Sequence, residues 1–205
     1  MNKYQGSGKV NKQNGGKGQF AHCVIEIEPL ESGKGFEFVN GTVGGSIPKE
    51  FIPSIEKGVK SAMKNGRLGG YPVTDVKVTV IDGSFHAVDS STYAFQEAGS
   101  LAFKDASLQA PMSILEPMGK LEVNIPHEFT GTVMGDLHKR RGELGKTNST
   151  TQGMIMEAIV PISEMFGYAT RLRNITQGRG TFTMEPNGYQ EVPLSVEESL
   201  SGVKI

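Results

Sequence analysis

Hydrophobic and polar residues alternate along several short stretches in the first half of the chain. Between positions 20 and 28, Cys23, Ile25 and Ile27 fall on one face, and Val24 and Glu26 fall on the other. A period of two is the signature of a strand with one buried face. The same pattern predicts further strands at 9–13, 35–39 and 75–81.

Two longer stretches instead have apolar residues at helical spacing. The first helix is predicted from about Pro48 to Lys64, and the second begins at Ser90 or Ser91 and ends before Pro111. The second has a stripe of small residues, mainly alanine, which allows close approach to a sheet. The apolar stripes are Ile52, Ile55, Val59, Ala62 and Met63 in the first helix, and Ala94, Ala98, Leu101, Ala102 and Ala106 in the second. These elements predict an α/β module.

The order of elements changes after a proline-bounded stretch, Pro111 to Pro117. The patterns then predict strand, helix, strand, strand, helix and strand, a βαββαβ order typical of ferredoxin-like domains. They lie at about 120–125, 127–139, 143–147, 154–160, 163–175 and 181–185. The chain is therefore predicted to be α+β, with domains at 1–111 and 112–205. The polar tail from Val192 onward is expected to fray.

Two glycine- and serine-rich stretches carry the main candidate chemistry. Residues 14–19 contain three glycines in four positions and precede a strand, so we expect a bend at the tip of a long hairpin, with Lys12 and Lys17 beside exposed backbone amides. Residues 83–91 follow a strand and precede a helix, a loop type in which backbone donors and polar side chains meet a ligand. We hypothesise that the two loops form one RNA-probing tip.

Composition limits the remaining possibilities. The 205 residues carry a net charge of −1, which argues against a polyanion-binding surface over the whole protein, although the first 19 residues contain four lysines and no acid. The single cysteine excludes an internal disulfide, and the four histidines lack metal-ligand spacing. No apolar run resembles a signal peptide or membrane span, so we expect a cytoplasmic protein.

Several motifs admit more than one interpretation. His86, Asp89 and Ser90 could support acid–base or nucleophilic chemistry, but Asp89 and the serines also stand where helix caps belong, and recognition is favoured for His86. The string Gly145-Lys146-Thr147 lacks the earlier glycine of a phosphate-binding loop.

Basic residues of the second domain are equally ambiguous. They could contact RNA, or they could complement the negative ends of helix dipoles. These residues are Lys139, Arg140, Arg141, Arg171, Arg173 and Arg179.

Short motifs are spread over nearly the whole chain. They are 13–20 (QNGGKGQF), 35–40 (GFEFVN), 69–73 (GGYPV), 83–86 (GSFH), 88–91 (VDSS), 115–117 (LEP), 135–137 (GDL), 140–142 (RRG), 163–170 (SEMFGYAT) and 176–180 (TQGRG). Each motif is weak alone, but their order and spacing agree. Taken together, they resemble the C-terminal half of bacterial translation elongation factor G.

The resemblance implies that the first domain is the fourth domain of that factor, whose tip loops enter the decoding region of the small ribosomal subunit. The second would be the fifth, a ferredoxin-like domain that contacts large-subunit RNA near the factor-binding centre. The implied partners are the ribosome and tRNA–mRNA, for a monomeric protein without membrane contact. The implied ribosome-binding residues are Gly15, Gly16, Lys17, Gly18, Gln19, Ser84, Phe85, His86, Asp89 and Ser90, with no catalytic residue and no metal ligand.

The chain also departs from the family pattern. Ala87 stands where the family usually has aspartate, and Lys17 where it usually has arginine, which preserves charge but loses the planar fork. The family's GTP-binding domain has no counterpart here. We therefore expect a fragment that is not an enzyme and holds no cofactor, with GTP and Mg²⁺ bound elsewhere in a GTPase parent. The alternatives are part of a ribosome-recycling paralogue, a stand-alone RNA-binding protein, or an enzyme using His86, Asp89 and Ser90.

Overall fold

A computed structural model describes residues 2–13 and 18–201. The described residues form two compact units, one containing those up to Ile114 together with those from Pro193 onward, and the other Leu115–Val192. The first unit contains β1 (Tyr4–Lys12), β2 (Gln19–Pro29), β3 (Phe36–Asn40), α1 (Ile52–Met63), β4 (Val76–Ser84), α2 (Thr92–Gln109) and α5 (Leu194–Ser201). The second contains β5 (Leu115–Ile125), α3 (Thr130–Lys139), β6 (Glu143–Thr150), β7 (Gly153–Pro161), α4 (Tyr168–Ile175) and β8 (Thr181–Glu191).

The first unit is a four-stranded sheet in the order β1-β2-β4-β3, with α1 and α2 packed on one face. β1–β2 and β2–β4 are antiparallel, whereas β3 and β4 are parallel because α1 connects them as a crossover. The inward residues predicted from the alternation, including Cys23, Ile25 and Val78, are fully buried. Burial of this apolar face is what holds the sheet against the helices.

β1 begins five residues earlier than the alternation predicted. Its inward residues here are Gly6 and Gly8, which do not register as hydrophobic in a sequence pattern. A Cβ atom at Gly6 would overlap the backbone of Ala102, and one at Gly8 would overlap that of Ala98. The strand contains glycine at these positions because α2 lies directly against its backbone.

The second unit confirms the predicted ferredoxin-like arrangement. Its strand order is β6-β7-β5-β8, all pairs are antiparallel, and α3 and α4 share one core with the sheet. The predicted helix at 163–175 is in fact a 3₁₀ turn, Ile162–Met165, followed by α4. The turn ends at Phe166, where ψ is 128°, and Gly167, with a φ of 71°, directly precedes α4.

The tail differs from the prediction that it frays. Leu194–Ser201 form α5, and the compact unit that this helix joins is the first, not the second as the predicted boundaries of 112–205 had it. The carboxylate of Glu197 is buried and accepts a hydrogen bond of 3.2 Å from the backbone N–H of Ile114. A polar sequence therefore gained order through a tertiary contact.

Candidate functional site

Residues 18 and 19 of the first glycine-rich stretch and residues 84–90 of the second lie at the same end of the first sheet. β2 begins at Gln19 and β4 ends at Ser84, and because the two strands are antiparallel, His22 pairs with Ser84 near that end. We call the described part of this region, residues 11–13, 18–20 and 84–90, the tip. Gly15, Gly16 and Lys17, which the sequence predicted to contact RNA, lie outside the described residues.

Backbone groups hold the two loops together. The N–H of Phe20 donates to the carbonyl of Asp89 at 2.9 Å, and the hydroxyl of Ser90 donates to the carbonyl of Phe20 at 2.7 Å. The same hydroxyl accepts from the N–H of His86 at 2.8 Å, and the N–H of Ser90 donates to the carbonyl of His86 at 3.0 Å. Ser90 therefore joins the hairpin to the turn that carries His86.

Gly18 is close to the same turn. A Cβ atom at this position would lie 3.0 Å from Cγ of Asp89, tighter than ordinary van der Waals contact. The approach of the hairpin to the Asp89 carboxylate thus favours a residue without a side chain.

The imidazole of His86 remains accessible although its backbone is fixed. Its side chain is 58% exposed, with Nδ1 3.3 Å from Oδ2 of Asp89. The ring meets that of Phe20 edge to face, with centroids 6.5 Å apart. The neighbouring Phe85 is 44% exposed. His86 and Phe85 thus present two exposed aromatic rings. Such rings stack on unpaired bases in protein–RNA contacts.

The tip contains a shallow groove of about 150 Å³. It is lined by Asn11, Lys12, Gln13, Gly18, Gln19, Phe20, His86 and Asp89. Amide side chains, an aromatic pair and a carboxylate thus converge from both loops. This mixture offers hydrogen-bond donors and acceptors to the edges of a base.

Two of the sequence interpretations need correction here. Helix capping falls to Ser91, whose hydroxyl accepts from the N–H of Ala94 at 3.1 Å, whereas Asp89 and Ser90 serve the loop contacts described above. Lys12 does not project freely toward a ligand, because its Nζ is 2.8 Å from Glu97 of α2. The hydrogen bond to Glu97 raises the pKa of Lys12.

The geometry does not support nucleophilic catalysis by the His86, Asp89 and Ser90 cluster. The Ser90 hydroxyl donates its proton to a backbone carbonyl and not to the imidazole. A serine nucleophile needs a base that takes that proton. Within residues 2–13 and 18–201, no cluster of histidine, cysteine or acidic side chains could hold a metal ion.

Three arginines of the second unit, Arg140, Arg141 and Arg171, pair with acids. Arg141 makes a bidentate contact with Glu116 and a further one of 3.1 Å with Glu164. Arg140 and Arg171 both contact the buried carboxylate of Asp136, at 3.0 and 2.9 Å. These contacts favour a structural role over an RNA contact for Arg140, Arg141 and Arg171.

Comparison with known proteins identifies the family of this chain. The model of elongation factor G, domain IV, matches residues 1–111, and that of the elongation factor G C-terminus matches residues 113–200. Elongation factor G of Aquifex pyrophilus is 55% identical over 200 residues, which cover 98% of this chain and 29% of that protein. The chain belongs to the elongation factor G family.

A solved structure agrees with this assignment. A crystal structure of a protein from Thermus thermophilus matches with a TM-score of 0.86 and 37% sequence identity, covering 98% of this chain and 30% of that one. The chain thus spans less than a third of the length of the Aquifex pyrophilus protein and of the Thermus thermophilus chain. In the part of the chain that the structure describes, no helix is both long and apolar enough to cross a membrane.

Within this elongation factor G segment, the structure brings five of the ten predicted site residues together. Gly18, Gln19, His86 and Asp89 line one groove, and Ser90 fastens the loops beside it. The sequence patterns did not identify the ring of Phe20 as part of the site, because Phe20 only marks the start of a predicted strand. Its position as the first residue after the glycine bend is a usable signal, because such a residue lies at the end of the hairpin.

Proposed function

We propose that this chain is the ribosome-binding part of a translational GTPase that promotes tRNA–mRNA translocation, and that its tip enters the decoding site of the small subunit. The observation that carries this proposal is the joining of two loops through Ser90 and Phe20, which presents His86 on an ordered backbone. A preorganised tip loses less conformational entropy on binding than a flexible one. Membership of the elongation factor G family supports the ribosome as partner.

The second unit has a different part in this proposal. It rests against large-subunit RNA near the factor-binding centre, while GTP and Mg²⁺ are bound by other parts of the factor and this chain holds no cofactor. No hydrolytic role is assigned to Ser90, since its hydroxyl donates to a backbone carbonyl. In the proposed mechanism, His86 contacts RNA as a ring with a polar edge.

The placement of the tip is tested by directed hydroxyl-radical probing of ribosomal RNA. The natural thiol of Cys23 should not compete for the label. Burial raises the pKa of Cys23 to about 12 and keeps its thiol protonated and shielded. An iron chelate is attached to an Ala87→Cys variant of the full chain bound to bacterial 70S ribosomes. Cleavage within the small-subunit decoding region is expected, whereas a Leu108→Cys variant, labelled at the far end of α2, should leave that region intact. Cleavage confined to other RNA would contradict the proposal.

Translocation is tested in a chimera, in which this chain replaces the matching segment of Aquifex pyrophilus elongation factor G. His86→Ala should slow single-turnover translocation and leave ribosome-stimulated GTP hydrolysis unchanged, because the tip does not carry the nucleotide. Hydrolysis that falls in proportion to movement would overturn the assignment. A chimera that supports ribosome recycling but no translocation would favour the recycling paralogue.

A further inference from the structure

A third loop, residues 41–46 between β3 and α1, approaches the same end of the first unit. β3 and β4 are parallel, so both end toward the tip, with Asn40 paired to Val80. The N–H of Gly41 donates to the carbonyl of Val80 at 2.8 Å. The chain therefore leaves β3 in the direction in which β4 continues to Ser84. The sequence pattern did not associate this loop with the tip.

The far end of this loop is fixed beside the tip. Ile47 is buried, and a Cβ atom at Gly83 would lie only 2.5 Å from its Cδ1 atom. Gly83 directly precedes Ser84 and lies three residues before His86. The loop thus begins beside Val80 and ends at Ile47 beside Gly83, three residues before His86 in the chain.

The loop is ordered at its start and open at its apex. The side-chain oxygen of Asn40 accepts from the N–H of Thr42 at 3.1 Å and from its hydroxyl at 2.8 Å. Gly44 and Gly45 follow with φ of 71° and 74°, and a Cβ atom at either would meet nothing within 4 Å. Between them and Thr42 stands Val43, which is 86% exposed.

An exposed valine at the apex of an anchored loop calls for an explanation. Among the large hydrophobic side chains of the described residues, only Phe166 is as exposed, at 87%. Valine is stiff about χ1, so it loses little entropy when a partner covers it. The stretch from Asn40 to Pro48 contains no charged residue, so its contact with a partner would rest on apolar packing and backbone groups.

We propose that residues 41–46 form a third RNA-contacting loop, in which Val43 packs on the ribose or base face of the same RNA that His86 contacts. The inference rests on the proposed function and deepens it by naming a neutral, apolar contact. RNA is favoured as the occupant because the loop is continuous with the tip. Gly44 and Gly45 also allow a sugar–phosphate backbone to approach without meeting a Cβ atom.

The test compares Val43→Ser with the matched control Leu108→Ser. Both replace an exposed aliphatic side chain, and Leu108 lies near the end of α2 away from the tip. For binding of the full chain to 70S ribosomes, Val43→Ser should weaken affinity roughly fivefold through lost apolar burial. Leu108→Ser should stay within roughly twofold. The salt dependence should not change, because no phosphate–cation contact is removed.

A second measurement identifies the partner. An iron chelate on a Val43→Cys variant should cleave the same segment of small-subunit RNA as one on Ala87→Cys. Unchanged affinity of Val43→Ser, or cleavage of RNA remote from that segment, would overturn the inference. Crosslinking from position 43 to a ribosomal protein alone would do the same.

The outcome for His86→Ala separates the two proposals. If it weakens binding while Val43→Ser does not, the third loop is excluded and the tip stands. If neither variant weakens binding, the proposed function fails as well. The melting temperatures of Val43→Ser and Leu108→Ser should match that of the parent, because the replaced side chains are exposed.

Discussion

The tip of the first unit and the arginine-rich end of α3 in the second unit use polar groups in opposite ways. At the tip, the hydroxyl of Ser90 holds the loops through hydrogen bonds with backbone groups of His86 and Phe20, and the imidazole of His86 stays exposed. Around α3, the guanidinium groups of Arg140 and Arg141 are engaged by acids and backbone carbonyls. Basic residues in a sequence therefore do not by themselves indicate an RNA contact, because acids of the same unit can neutralise their charge.

The largest expected effect concerns the ion pair of Arg141. Glu116 is buried, so Arg141→Ala would leave its carboxylate without its bidentate partner. We expect a loss of about 3 kcal/mol in the free energy of unfolding, measured by urea denaturation. Lys139→Ala, an exposed change at the end of the same helix, should cost no more than about 0.5 kcal/mol. If Arg141→Ala costs as little unfolding free energy as Lys139→Ala, the ion pair has no structural role and Arg141 is again a candidate RNA contact.

The second prediction concerns pH and Asp136. Burial would raise the pKa of Asp136, but hydrogen bonds from Arg171 and Arg140 outweigh it and hold that pKa below its ordinary value. The unfolded chain therefore takes up this proton more readily. The stabilisation is complete above the unfolded pKa of about 3.9 and is lost as pH falls through the lower folded pKa.

Urea midpoints measured from pH 5 downward should reveal this difference. The parent should lose stability steeply as the pH falls, and Asp136→Asn should show a shallower dependence from a lower starting value. Leu108→Ser, an exposed change that removes no titratable group, serves as the control and should follow the parent curve. Parallel curves for the parent and Asp136→Asn would contradict the role assigned to the two arginines.

The smallest effect distinguishes two adjacent serines at the tip. Ser91→Ala removes a helix cap and should cost about 1 kcal/mol of stability. Ser90→Ala removes hydrogen bonds to His86 and Phe20 and should cost a similar amount, about 1 kcal/mol. Only Ser90→Ala should also weaken binding to 70S ribosomes, because it alone loosens the loops. Equal affinities for the two variants would mean that the order of the tip does not matter for binding.

Much of the architecture could be predicted without coordinates, because it follows from local periodicity. Alternation at Cys23, Ile25 and Ile27 predicted β2, and the alanine stripe predicted α2, since each pattern only has to match one element's own repeat. The βαββαβ order predicted the ferredoxin-like sheet for the same reason. Family membership was also accessible, since it depends on the order of short motifs.

Contacts between distant residues were decided only in the tertiary structure. The sequence contains Ser90 and Phe20, Arg141 and Glu116, and Glu197 and Ile114, but nothing in their local patterns pairs them. In the sequence, Gly6 and Gly8 indicate a break in a strand. In the structure they lie within β1, because α2 packs directly against its backbone at these positions. The third loop likewise reached the tip through the parallel pairing of β3 with β4. Periodicity determines which face of an element is buried, whereas partner choice depends on how the elements pack, and packing brings together residues too far apart in sequence for any local pattern to relate.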